Sequence, residues 1–193
     1  MKTPKWFLHR NVLSVILVPL SWCYYCISSV VFWVRKHFQY TSQRPIICVG
    51  NILAGGVGKT PIVRQIATFF DAPVVMRGYK KSAQTGDIGD EALMLSKDGL
   101  AVHVGDRKSN IVLLNKQSNK KTPIVMDDGL QNPKIKKDIS VMVFDEGLGY
   151  GNGFLLPAGP LRQPKSAAKN ADSKARTNHI QYYLRTVLIY PTL

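Results

Sequence analysis

The sequence predicts an α/β domain: a parallel sheet with flanking helices, preceded by an apolar helix at the amino terminus. Three observations carry this. Short β-branched runs alternate with helix-like segments from residue 46 onward, a glycine-rich turn joins the first run to the first helix, and residues 12–34 hold no charged side chain. Apolar runs this short, without polar alternation, suit strands covered on both faces, as in parallel sheets.

The glycine-rich turn lies in CVGNILAGGVGKTP (48–61). IICVGNI (46–52) reads as a buried strand and PIVRQIATFF (61–70) as a helix, so Gly55, Gly56, Val57 and Gly58 form the turn between them. Such a turn lets successive backbone N–H groups converge on phosphate oxygens. Lys59 adds a point charge for the β/γ-phosphates, the Thr60 hydroxyl can ligate Mg²⁺, and Pro61 completes the set of residues expected to contact the nucleotide. The helix would aim its positive end at the nucleotide. The spacing G-x-x-x-x-G-K-[ST] wants glycine at position 53, where this chain has Leu53. The motif is a variant P-loop, and the fold expected is P-loop NTPase-like.

The remaining elements follow in order. APVVMRGY (72–79) reads as a strand, GDEALMLSKD (89–98) as a helix, LAVHVG (100–105) as a strand and 107–114 as a helix. TPIVMDDG (122–129) and ISVMVFD (139–145) are again strand-like. The stretch GLGYGNGFLLPAGPLRQP (147–164) is too long and too apolar for a bland connector and reads as a binding loop. Beyond Asn170 there is no capping logic, no clear period and no completed βα unit. The domain division expected is 1–40 as a membrane-associated helix, 41–172 as the P-loop domain and 173–193 as an aberrant tail.

The uncharged run VLSVILVPLSWCYYCISSVVFWV is just long enough to cross a bilayer. Serine, cysteine, tyrosine and Pro19 dilute it, and basic residues flank both ends, so a helix lying in the plane of the cytoplasmic leaflet is an equal alternative. Net charge is +14, from 26 Lys and Arg against 12 Asp and Glu. That excess implies an anionic partner, either an acidic membrane surface or a phosphorylated substrate. The basic residues are dispersed without an aromatic-interleaved stripe, so no nucleic-acid partner is expected. Cys23 and Cys26 form a lone C-x-x-C inside the apolar run, and Cys48 lies in the first strand, so neither a disulfide framework nor a metal site is expected.

Four acidic positions stand where elements would deliver them to the turn. Asp127 and Asp128 end the strand PIVM, the arrangement that sets a carboxylate beside Mg²⁺ at the carboxyl edge of a sheet. Asp90 and Glu91 follow Gly89 at a helix start, where composition alone favours a helix-dipole role slightly over a catalytic one. Asp145 ends the next strand as a supporting group or a turn residue. Arg77 and Arg107 are candidate anion contacts, with solvated surface charge as the equal alternative.

Together, VGNILAGGVGKTP, MRGYK, GDEALML, VGDR, DDGLQNPKIKKD and GNGFLLPAGPLRQP resemble, in order, the tetraacyldisaccharide 4′-kinase family, the lipid A 4′-kinases of Gram-negative bacteria. The resemblance covers residues 5–172, and the family tolerates the missing first glycine. It implies transfer of the ATP γ-phosphate to the 4′-hydroxyl of tetraacyldisaccharide 1-phosphate, giving lipid IVA, at the cytoplasmic face of the inner membrane. It implies Mg²⁺ with ATP, and an anionic inner-membrane surface as partner. Asp90 then resembles the catalytic base and Glu91 its acidic companion, beside Lys59. Asp127, Asp128 and Thr60 resemble the metal side, Gln131 a polar partner, and Arg162 and Arg77 substrate contacts. Gln163 stands where the family commonly has an acid. Family members add a second α/β lobe with a histidine that pairs with the GDE aspartate. His179 matches no such motif, and the expectation is a truncation or frameshift near Ser173, with turnover impaired. Competing expectations are a membrane-tethered P-loop ATPase or GTPase switch and a non-catalytic nucleotide binder. No guanine-specifying N-K-x-D supports the switch.

Overall fold

In the computed structural model, residues 5–55, 58–78, 89–117, 122–144, 149–170 and 173–176 are described. The chain opens with three helices, α1 (Lys5–Leu8), α2 (Val12–Ile16) and α3 (Val18–His37). Strand β1 (Ile46–Gly50) follows, then α4 (Lys59–Phe70), β2 (Val74–Arg77), α5 (Asp90–Lys97) and β3 (Val102–Gly105). Helix α6 (Arg107–Gln117), β4 (Ile124–Asp127) and β5 (Ile139–Phe144) come next, then a 3₁₀ turn (Lys165–Asn170) and β6 (Ser173–Arg176). Each strand and helix read from residues 46–145 is present, within a few residues at its ends.

The six strands form one sheet in the order β3-β2-β4-β1-β5-β6, every neighbour parallel. Every residue of β1 and β4 is buried, as a central strand covered on both faces requires. Alternation divides the core. Ile47, Val49 and Val125 point into one cluster with Ile62, Ile66 and Ala67 of α4. Ile46, Cys48 and Met126 point into the other with Ile111 and Leu114 of α6. The carboxyl ends of β1 and β4 meet beside the amino end of α4, which is where open α/β sheets bind ligands.

The amino terminus corrects one expectation. Among the described residues no helix is long and apolar enough to cross a membrane. The uncharged run is divided at Leu17 between α2 and α3, and α3 ends in Arg35, Lys36 and His37. Asn11 caps α2: its Oδ1 accepts from Ser14 N (2.8 Å) while Ser14 Oγ accepts from Asn11 N (2.9 Å). The segment is also inverted relative to a core helix. Ser14 and Ser21 are its buried residues, whereas Val12, Ile16, Ile27, Val30 and Trp33 are each more than half exposed.

Candidate functional site

Gly58 sits at the N-cap of α4 with φ 67° and ψ 42°, a left-handed conformation that an L side chain resists. No side chain caps α4, so its first N–H groups are left for an anion. Lys59 is its first residue and Thr60 lies half-buried in the same turn, with Pro61 exposed. Gly55 has φ 136°, while Gly56 and Val57 lie outside the described residues. Leu53 has a structural account. It forms an antiparallel bridge with Leu161 and is fully buried. On either side Ala54 N donates to Pro160 O and Arg162 N to Ile52 O, both at 2.7 Å. Where the common motif has a flexible glycine, this turn begins as a fixed strand.

The carboxylates of β4 face that turn. Asp127 is 6% exposed, and burial pushes its carboxyl up to about 6 despite the opposing field of Lys59. The charges of Asp128 and Glu91 raise it further. Asp128 adopts φ 50°, a strained value for a non-glycine residue, and its N–H donates to Val49 O (2.8 Å). Its two oxygens meet Lys59 Nζ and Arg162 Nη1, each at 3.5 Å. Oδ1 of both aspartates is buried without a hydrogen-bond partner. Arg107 supports the strand end from behind: Nη2 donates to the carbonyls of Asp127 (2.7 Å) and Asp128 (3.0 Å). Burial lowers the pKa of that guanidinium.

Gln131 donates through Nε2 to the Asn51 carbonyl. Lys137 holds the same turn by donating to Leu130 O (3.0 Å) and Asn132 O (2.8 Å). Gln131 and Arg162 also line a cleft of about 570 Å³, whose opposite wall is the Tyr24, Phe32, Arg35 and Lys36 face of α3. Gln163 lines it as well. Arg162 therefore belongs to both the carboxylate site and the cleft.

The loop before Arg162 is pinned to the amino-terminal helices. Asn152 Nδ2 donates to Trp6 O (2.6 Å) and Ala158 O (2.8 Å), and its Oδ1 accepts from Phe154 N (2.9 Å). Ser21 Oγ donates to Leu155 O (2.9 Å) and accepts from Ala158 N (3.1 Å). A side chain at Gly159 would collide with Asn152, so only glycine fits that close approach.

The structure thus brings Lys59, Asp127, Asp128, Gln131 and Arg162 together. Asp90 and Glu91 occupy the first turn of α5, exposed, with the Glu91 charge felt at Asp127. Arg77 ends β2, exposed and close enough to act electrostatically on Arg107. Asp145 and His179 lie outside the described residues. Asn51, Asn152 and Lys137 carried no sequence signal of their own. Only the polar Ser14 and Ser21 inside an apolar run could have marked the face that packs inward.

A parallel sheet whose central strand feeds a glycine turn and an uncapped helix, with a buried carboxylate on the neighbouring strand, defines a P-loop nucleotide-dependent domain. The comparisons make this specific. The family described as Tetraacyldisaccharide-1-P 4′-kinase (LpxK) matches residues 13–181. A tetraacyldisaccharide 4′-kinase of Rhodopseudomonas palustris is 37% identical over 180 residues, covering 85% of this chain and 52% of the relative. One from Legionella pneumophila is 39% identical over 183 residues, covering 84% and 56%. The crystal structure of an "apo" form of LpxK from Aquifex aeolicus in complex with ATP superposes with TM-score 0.67 at 25% identity, over 86% of this chain and 59% of that one. The chain belongs to the tetraacyldisaccharide 4′-kinase family. It spans about half the length of the curated relatives it matches.

Proposed function

We propose that this chain carries the nucleotide site and the acceptor cleft of a kinase that moves the ATP γ-phosphate to the 4′-hydroxyl of tetraacyldisaccharide 1-phosphate, giving lipid IVA. The observation that carries this reading is the double pairing of Asp128. Lys59 reaches it from the nucleotide turn and Arg162 from the wall of the cleft, each at 3.5 Å. Phosphoryl transfer needs donor and acceptor held in line within one charge-compensated site, and one carboxylate linking the two walls supports that geometry.

In this reading the uncapped start of α4 and Lys59 hold the β/γ-phosphates, and Arg162 meets the acceptor side. Mg²⁺ fits Thr60, Asp127 and Asp128: these are hard oxygen donors, Asp127 Oδ1 is buried without a partner, and Asp128 Oδ1 makes no hydrogen bond beyond its 3.5 Å ion pair with Lys59. When bound, the cation neutralises charge developing on the transferring group. Asp90 takes the proton of the acceptor hydroxyl, with Glu91 and Arg77 completing the rim, and Gln131 spans between turn and cleft.

The acceptor's acyl chains explain the inverted amino terminus. The exposed apolar face of α2 and α3, with Arg35 and Lys36 at its end, suits a helix lying on an anionic leaflet at the cytoplasmic face of the inner membrane. The test combines both claims. Calorimetry in detergent should show Mg·ATP binding that Lys59→Ala weakens by about 1.5–3 kcal/mol, the worth of a charge-assisted contact. Vesicles should pellet the protein only when anionic, and less at high salt. Equal ATP affinity in wild type and K59A would sink the kinase reading, and binding to neutral vesicles indifferent to salt would sink the membrane one.

A further inference from the structure

We infer that Asn51 is a positioning residue of the phosphate site, its side-chain amide held for the cation–phosphate assembly of a bound nucleotide. This rests on the kinase reading above and extends it to a residue with no role there. Asn51 lies one position past β1 and is fully buried, and neither its Oδ1 nor its Nδ2 has a hydrogen-bond partner. A buried primary amide without a partner is rare in a native protein and signals a group awaiting a ligand, a strain reservoir or an ordered solvent molecule.

The surroundings favour a ligand. The backbone here is fixed: the Asn51 carbonyl accepts from Gln131, the Ile52 carbonyl from Arg162 N, and Asp128 N donates to Val49 O. The amide is therefore anchored on a rigid strand end, as a preorganised group must be. Its place in the chain is also informative. Val49 pairs in register with Asp127, so Asn51 stands two positions further on, at the carboxyl edge of the sheet where the two aspartates and the start of α4 meet.

Among the described residues at these two strand ends, Oδ1 of Asp127 and both polar atoms of Asn51 are buried with no partner, Oδ1 of Asp128 has only its 3.5 Å ion pair with Lys59, and Nε of Arg107 behind them is also unsatisfied. Two carboxylate oxygens call for a cation. An amide offers a donor as well as an acceptor, which suits the junction where a cation's hydration water meets a phosphate oxygen. Packing alone does not require it: leucine shares the branched outline and would bury no orphan polar group.

The experiment is Asn51→Leu in the 193-residue chain, read by thermal unfolding and by calorimetry of ATP binding with Mg²⁺ and with EDTA. The expected pattern is crossed. Without nucleotide the variant melts at or above the wild-type temperature, while its affinity for Mg·ATP falls about tenfold, the worth of one or two hydrogen bonds. The loss should shrink when EDTA replaces Mg²⁺. A lower melting temperature without nucleotide would show the amide to be structural and overturn the inference, as would unchanged Mg·ATP affinity. Wild type that binds no nucleotide would overturn the kinase reading and this inference together, whereas equal affinities overturn the inference alone.

Discussion

The Leu53–Leu161 bridge joins two regions of opposite polar chemistry. On the Leu53 side, at the ends of β1 and β4, a buried oxygen of Asp127 and the whole Asn51 amide lack partners, and the buried Asp128 Oδ1 has only a 3.5 Å ion pair with Lys59. On the Leu161 side, Asn152 uses both amide hydrogens and its oxygen within the protein, and Ser21 both donates and accepts. One region is poised for something to arrive; in the other, Asn152 and Ser21 are spent on the protein itself, and Trp6 Nε1 is left as an isolated buried orphan. Unmet hydrogen-bonding capacity marks a ligand site, whereas fully met capacity marks scaffold, even inside a loop that reads as functional. The GNGFLLPAG segment is therefore a strut. It ties the amino-terminal helices to the nucleotide turn and delivers Arg162.

The comparison is broken most severely at the bridge itself. Restoring the standard motif with Leu53→Gly removes a fully buried side chain and loosens a fixed extended backbone. The loss should be about 3–5 kcal/mol of stability, from transfer, cavity and backbone terms together. Chemical denaturation measures it. A P-loop that merely tolerates leucine would lose little and could gain nucleotide affinity from the freed turn.

Next in size is the strut. Asn152→Ala abolishes three hydrogen bonds at a site 6% exposed and strands the carbonyls of Trp6 and Ala158. About 2–4 kcal/mol should be lost. Because the strut also carries Arg162, protease cleavage near residues 1–10 and loss of nucleotide affinity should appear together. Faster cleavage with affinity intact would mean the two regions are uncoupled.

This division also explains what the sequence disclosed. The sheet was legible because its strands are short, β-branched and buried on both faces, so periodicity and burial agree, as at Ile46–Gly50. That Lys59, Thr60, Asp127 and Asp128 stand at one edge of the sheet was legible because the strand–turn–helix order and the end of the strand PIVM set them there. The helical break at Leu17 was not, since a bilayer-length count of uncharged residues takes no notice of where Asn11 and Ser14 cap a helix or where Ser21 finds partners. Nor was the role of Asn152, whose partners lie as many as 146 residues away in sequence. Asn51 was hidden differently: its meaning is the absence of a partner, and that exists only in three dimensions.

The smallest effect, and the one whose sign separates the two regions, comes from Asp127→Asn. In the folded protein burial holds the Asp127 carboxyl at about 6, above its ordinary value of 3.8. The folded state therefore binds this proton more tightly than the unfolded chain. The penalty is absent below about pH 4, grows as pH rises towards about 6 and is constant above that. The asparagine variant cannot ionise and escapes it. A gain of about 1–2 kcal/mol is expected at pH 7–8 after allowing for the cost of burying a new amide, with none at pH 4. Adding Mg²⁺ should then stabilise the wild type and not the variant, because only the carboxylate gains a cation. Denaturant titrations at the two pH values, with and without Mg²⁺, provide the measurement. A D127N protein less stable than wild type at pH 8 would place this carboxylate with the scaffold, alongside Asn152, and remove it from the site that awaits a ligand.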